Sequence, residues 1–251
     1  MEKRLVTVDF TEDGFAIVRM RNGENRLNLV FLDSLNQALN EVERNTECRA
    51  MITTGEGKFY CNGYDLEWMK TVDSETVDKL QKAVDNSLWR FMHFPLPTVA
   101  AINGHAFGGG AFLAMSHDYR VMRTYRGWIS WNETHLKSRL GDMLLKHLSI
   151  NLVLDFFLNA FSKKVLDMKT IREAVLFGKR VTADQAKELF LVDSMAELSD
   201  LIPKAKQVAQ EALGPNGIDR DMLQKMKQDI YVRPPGDEPF LPETNLKGSK
   251  L

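Results

Sequence analysis

Ala100-Ala101-Ile102-Asn103-Gly104-His105-Ala106-Phe107-Gly108-Gly109-Gly110-Ala111-Phe112-Leu113-Ala114-Met115 joins a strand-like run to a helix-like one through three consecutive glycines. Glycine carries no Cβ, so a ligand or a second stretch of backbone can approach it closely. Ala111, Leu113, Ala114 and Met115 favour a helix, which puts the amide groups of residues 109–112 at a helix N-terminus, where they face developing negative charge. The stretch predicts an oxyanion-binding turn between a strand and a helix.

Upstream, residues 5–10 and 15–20 are short runs rich in Val and Ile around the polar Thr11-Glu12-Asp13-Gly14, the pattern of a β-hairpin. Leu32, Leu35, Leu39 and Val42 recur at helical spacing over 30–44, with Asn28 available as N-cap. A buried-type strand is expected at 50–54, followed by the irregular Lys58-Phe59-Tyr60-Cys61-Asn62-Gly63-Tyr64-Asp65-Leu66. Ser74 is expected to open a long helix burying Val77, Leu80, Val84, Leu88 and Phe91, closed by Pro95 and Pro97. Strands follow at 98–102, 119–122 and 128–131, the last interrupted by Asn132-Glu133-Thr134. Thr182-Ala183-Asp184-Gln185 has the form of a capping box, and helices are expected over 201–212 and 222–230. Strand–helix–strand alternation of this kind predicts a mixed α/β core with parallel pairings.

The chain has 251 residues, 44% hydrophobic and 27% charged, enough for one substantial core with an appendage. Lys plus Arg number 33 against 34 Asp plus Glu, so the global charge argues against nucleic acid or an anionic membrane as partner. Apolar runs such as 152–158 are too short and interrupted to span a bilayer, and no signal peptide is expected at the start. Two cysteines, Cys48 and Cys61, fit a reducing compartment, with Cys61 expected as a buried thiol and not a nucleophile. No His, Cys, Asp or Glu set has metal-ligand spacing, so neither a metal nor a separate cofactor is expected. Ser249-Lys250-Leu251 is the tripeptide read by the peroxisomal import receptor, carried on a proline-rich tail expected to stay extended.

Three blocks, residues 58–66, 101–110 and 178–186, resemble the crotonase superfamily, the enoyl-CoA hydratase and isomerase fold, nearest to its peroxisomal Δ3,Δ2-enoyl-CoA isomerase branch. The resemblance implies a repeated ββα spiral core over 1–195, a helical region over 196–231 used in trimer formation, and an extended targeting tail over 232–251. It also implies an acyl-CoA thioester ligand, whose coenzyme A is part of the substrate, a homotrimer or hexamer, and a peroxisomal matrix location. By the same resemblance the backbone N–H groups of Tyr64 and Gly109 form the oxyanion hole. Asn62, Tyr64, Asp65, Leu66, Gly109, Phe112 and Trp131 line the substrate.

The discriminating position is the family's pair of carboxylates. A hydratase needs two, so that a water can be oriented, deprotonated and its proton returned. Phe112 stands at the first of those positions, where it transfers no proton, and Glu133 stands at the second. One carboxylate suffices to remove a proton at C2 and return it at C4, which makes Glu133 the expected catalytic residue of an isomerase. The plain alternative for Glu133 is a solvated loop glutamate; Trp128, Ile129 and Trp131 beside it would raise its pKa toward working pH. His105 and Asp118 are read as structural, and Asp65 as holding its loop. The chain departs from the family over 137–164, which is long and apolar. That departure suggests an impaired acyl-CoA-binding member as one alternative; enoyl-CoA hydration is the other, disfavoured by Phe112.

Overall fold

The computed structural model describes residues 4–132, 164–165 and 168–233. Glu133, nearly all of the 137–164 segment and Ser249-Lys250-Leu251 lie outside the described residues.

The chain winds as a spiral that gives alternate strands to two sheets. β1 (Val6–Phe10) and β2 (Phe15–Met20) form the expected antiparallel hairpin, and α1 (Leu29–Arg44) closes the first turn. The second turn comprises β3 (Ala50–Gly55), β4 (Phe59–Cys61), the short α2 (Leu66–Met69) and α3 (Ser74–Met92). The third comprises β5 (Thr98–Ile102), β6 (His105–Phe107) and α4 (Gly109–Met115), and β7 (Tyr119–Arg123) and β8 (Ile129–Ser130) begin the fourth. Downstream come α5 (Met168–Thr170), which continues into a π-helical turn at Ile171–Leu176, then α6 (Ala183–Glu188), β9 (Ser194–Ala196), α7 (Leu201–Leu213) and α8 (Arg220–Ile230). The large sheet has the order β1-β2-β3-β5-β7-β9 and the small one β4-β6-β8. Among the described residues every strand pairing after the first hairpin is parallel, and an isolated antiparallel bridge joins Ile129 to Val181.

Both faces of the large sheet are covered, which is why its central strands read as nearly unbroken apolar runs. Ala16, Val18, Met51, Ala100 and Met122 belong to the core shared with α1, α3 and α4. Phe15, Ile17, Ala50, Ile52, Val99 and Val121 pack on the other side against Leu201, Ala205, Ala209 and Leu213, a stripe one helical turn apart along α7.

Several local expectations hold. Asn28 caps α1 by accepting from the Phe31 amide at 2.9 Å, and Thr182 and Gln185 form the reciprocal capping box of α6. α3 opens at Ser74 as expected, with Asp73 as its cap: the Thr76 amide donates to the Asp73 carboxylate at 2.8 Å. His105, between β5 and the glycine turn, itself begins a strand, β6, since its segment finds β4 and β8 on either side. β9 was not foreseen: three half-buried residues are too few to show an alternation, and only β7 defines them as a strand.

Candidate active site

The carboxyl ends of the three parallel strands of the small sheet bring together residues distant in sequence. β4 ends at Cys61 and leads to Asn62-Gly63-Tyr64; β6 ends at Phe107 and leads to Gly108-Gly109; β8 ends at Ser130 and leads to Trp131 and Asn132. Ligands of parallel α/β sheets gather at such ends. The first two segments touch: a Cβ placed on Gly63 would lie 2.8 Å from the Phe107 carbonyl oxygen and 3.2 Å from the Gly109 nitrogen. Gly63 also has φ +71°, a left-handed conformation that side chains resist. Glycine at this position therefore lets the strand end of one turn lie against the helix start of the next.

The first turn of α4 is seated the same way. A Cβ on Gly110 would sit 2.1 Å from the Cys61 carbonyl oxygen, a backbone atom that cannot step aside. Of the four amides expected to be open, those of Ala111 and Phe112 both donate to the Gly108 carbonyl, at 2.9 and 3.2 Å. That correction follows from helix geometry, since the carbonyl of a capping residue accepts the first intrahelical bonds, and it leaves Gly109 and Gly110 at the open end.

The loop carrying Tyr64 is held from outside by residues between β2 and α1. The Leu27 amide donates to Gly63 O at 2.8 Å and the Asp65 amide to Leu27 O at 3.0 Å. Asn25, itself left-handed at φ 51°, donates its side-chain amide to Tyr60 O at 3.0 Å and receives the Cys61 thiol on its carbonyl at 3.0 Å. Burial pushes the Cys61 thiol up to about 12, so it is inert as a nucleophile. Asn62 donates to Glu24 at 2.8 Å, and the Glu24 carboxyl is held below its ordinary range by that bond first and by Arg26. Asp65 accepts from Asn28 at 3.0 Å and from the Trp68 amide at 3.2 Å, capping α2, which starts at Leu66. Reading the sequence alone missed Asn25 and Leu27; the asparagine-rich run 22–28 was their only signal.

Phe112 is buried on α4 and its ring meets Trp131 edge-on, centroids 6.0 Å apart. Trp128 does not join them: strand alternation turns it to the opposite face, where it stacks on His105 at 4.8 Å beneath the Arg180 guanidinium at 5.4 Å. His105 is thus walled by aromatic rings, and burial holds its pKa below the ordinary imidazole value. Asp118 is structural, accepting from Thr98 at 2.8 Å and pairing with the buried Lys227 at 2.6 Å. Among the described residues no three His, Cys, Asp or Glu side chains converge as metal ligands, and no helix is long and apolar enough to cross a membrane.

Comparison with known proteins agrees with this geometry. Residues 11–231 match the family model described as enoyl-CoA hydratase/isomerase. The chain is 31% identical over 216 residues to the peroxisomal enoyl-CoA delta isomerase 1 of Arabidopsis thaliana, covering 83% of this chain and 82% of that protein. It is 28% identical over 232 residues to enoyl-CoA delta isomerase 3 of the same plant, 90% and 92% of the two chains. Among solved structures, a probable enoyl-CoA hydratase from Mycobacterium tuberculosis H37Rv superposes with a TM-score of 0.73 at 22% identity, over 90% of this chain and 87% of that one. An enoyl-CoA hydratase from Bacillus anthracis gives 0.72 at 23%, over 90% and 82%. The two-sheet spiral, the matched length and these relatives together make the chain a member of the enoyl-CoA hydratase/isomerase family, the crotonase superfamily.

Proposed function

We propose that the protein is a Δ3,Δ2-enoyl-CoA isomerase that moves a double bond of an unsaturated acyl-CoA from C3 to C2. The observation that carries this reading is the contact of the Gly63-Tyr64 strand end with Gly109 above a first helical turn whose inward side chain is Phe112 and not an acid. The delta isomerase names of the plant relatives support it.

In this reading the Tyr64 and Gly109 amides donate to the thioester oxygen, each contributing roughly 3 to 4 kcal/mol as that oxygen gains charge. Glu133 takes a proton from C2 and the C–H electron pair moves onto the thioester carbonyl, giving a dienolate conjugated with C3=C4; the carboxylic acid then returns the proton to C4, the C3=C4 π pair forming the new C–H bond as the enolate pair flows back to make C2=C3. No external acid, water or separate cofactor enters the balance, and coenzyme A arrives and leaves with the substrate. Asn62, Asp65 and Leu66 flank the thioester, and Phe112 and Trp131 form the apolar floor on which the acyl chain rests. The protein acts in β-oxidation of unsaturated fatty acids as a homotrimer or hexamer, delivered to the peroxisomal matrix when the import receptor reads Ser249-Lys250-Leu251.

Purified protein mixed with 3-hexenoyl-CoA should produce the 2-enoyl thioester, and Glu133→Gln should reduce turnover by about 10³-fold or more. Absence of turnover, or equal turnover by the variant, removes the isomerase reading. Release of 3-hydroxyacyl-CoA from a 2-enoyl substrate as the dominant reaction would make the protein a hydratase instead.

A further inference from the structure

Beneath the contact of β4 with α4 runs a closed chain of buried hydrogen bonds. The Tyr60 hydroxyl lies 2.8 Å from Thr53 Oγ1, which lies 2.9 Å from His117 Nε2, and His117 Nδ1 lies 2.8 Å from the Leu113 carbonyl oxygen. Tyr60 and His117 are fully buried and Thr53 is 1% exposed. The chemistry of the partners sets the direction of every bond. A carbonyl oxygen only accepts, so Nδ1 carries the proton; burial first, against weaker help from the Leu113 bond, holds the ring neutral down to about pH 3, so Nε2 accepts. Thr53 must then donate to Nε2, and its oxygen receives the Tyr60 hydroxyl. Every polar side-chain atom of Tyr60, Thr53 and His117 has a partner.

The ends of this chain are what give it a use. Tyr60 stands four residues before Tyr64 on the strand that delivers one amide, and Leu113 stands four residues after Gly109 on the helix that delivers the other. Thr53 belongs to β3 of the large sheet, so both halves are referred to the same rigid strand. α4 has only seven residues and its capping residue, Gly108, offers no side-chain cap, so the helix takes its position from its far end. There His117 is also gripped through its own carbonyl by Lys164 at 2.5 Å and Arg120 at 2.9 Å, with the Phe91 ring 4.5 Å from its own. A fully satisfied buried network of this kind specifies one arrangement where apolar side chains would allow several.

We propose that Tyr60, Thr53 and His117 are positioning residues that fix the spacing of the Tyr64 and Gly109 amides, so that breaking the chain lowers turnover without weakening acyl-CoA binding; this rests on the oxyanion role given to those amides above. The test compares wild type, Thr53→Val, Thr53→Ser and Tyr60→Phe, each with 3-hexenoyl-CoA kinetics and with infrared difference spectra of a bound acyl-CoA carrying a carbon-13 thioester carbonyl. In wild type the carbonyl stretch should fall relative to the free thioester. Thr53→Val, nearly isosteric, should lose part of that shift and about 10- to 100-fold in kcat with KM within about 2-fold, and Thr53→Ser should restore both. Tyr60→Phe, which leaves the Thr53–His117 bond in place, should fall between and serves if the valine variant does not fold. Undiminished carbonyl shift and kcat in folded Thr53→Val or Tyr60→Phe overturns the proposal while leaving the oxyanion hole standing. A wild type that turns over without any carbonyl shift overturns the oxyanion reading, and this inference with it.

Discussion

The six-stranded and three-stranded sheets are built from alternate strands of one spiral, yet their residues answer to different demands. In the large sheet β2, β3 and β5 are buried almost throughout, and their apolar side chains pack against apolar neighbours on both faces. In the small sheet the strands are two or three residues long, and what matters is the backbone just beyond them: Gly63 against Gly109, and Gly110 against the Cys61 carbonyl. One sheet is a side-chain object and the other a backbone object. Truncating an apolar side chain of the first should cost stability at unchanged chemistry, Thr53 with its bond to Tyr60 being the exception, and a substitution in the second should cost chemistry out of proportion to stability.

The largest effect should come from Gly110→Ala. The new methyl would lie 2.1 Å from Cys61 O, so α4 or β4 must move, and with them the amides that face the thioester. A displacement near 1 Å at such a site costs on the order of 10²-fold in rate. Turnover per folded molecule is expected to fall by at least that factor, measured by isomerase assay after circular dichroism has established the folded fraction. Wild-type turnover in a folded Gly110→Ala protein would show that the small sheet tolerates shifts and would dissolve the distinction.

Ile52→Ala tests the other side. Ile52 is fully buried on the α7 face, so removing its side chain should cost about 2 to 5 kcal/mol, read from urea denaturation. Its kcat at 25 °C should equal that of wild type, because nothing in that layer touches the strand ends. A matching loss of kcat would mean that strain in the large sheet reaches the site.

This contrast also explains what the sequence revealed. The large sheet was legible as runs of Val, Ile and Ala, and so were Asn62-Gly63-Tyr64 and the triple glycine, because left-handed φ and close backbone approach select glycine directly. β9 and the strand character of His105 were not legible, since three-residue strands exist only through their neighbours. The stacking of Trp128 on His105, away from Trp131, was not legible either, since it follows from the way successive strand residues face opposite sides. Thr53, Tyr60 and His117 gave no signal, being 64 positions apart at their widest hydrogen bond, with no spacing rule to join them.

His117, which joins β3 of the large sheet to α4, supplies the smallest and most specific effect. Its folded pKa is pushed down to about 3 by burial, while in the unfolded chain it titrates near the ordinary imidazole value of 6.5. Between those limits the unfolded state binds a proton that the folded state refuses, so stability rises with pH there and is lost on acidification from about 6.5 toward 3. The slope for one proton is about 1.4 kcal/mol per pH unit. Carboxylates add slopes of their own, so the informative quantity is a difference: denaturation free energies at pH 6.5, 5.5 and 4.5 for wild type and His117→Gln. The variant is expected to be less stable at pH 6.5 and to lose stability more slowly as the pH falls, because glutamine takes up no proton on unfolding. Parallel profiles would mean that the imidazole is protonated in the folded state, in which case Nε2 would donate to Thr53 and Thr53 to Tyr60, reversing those two bonds while Nδ1 still donates to the Leu113 carbonyl.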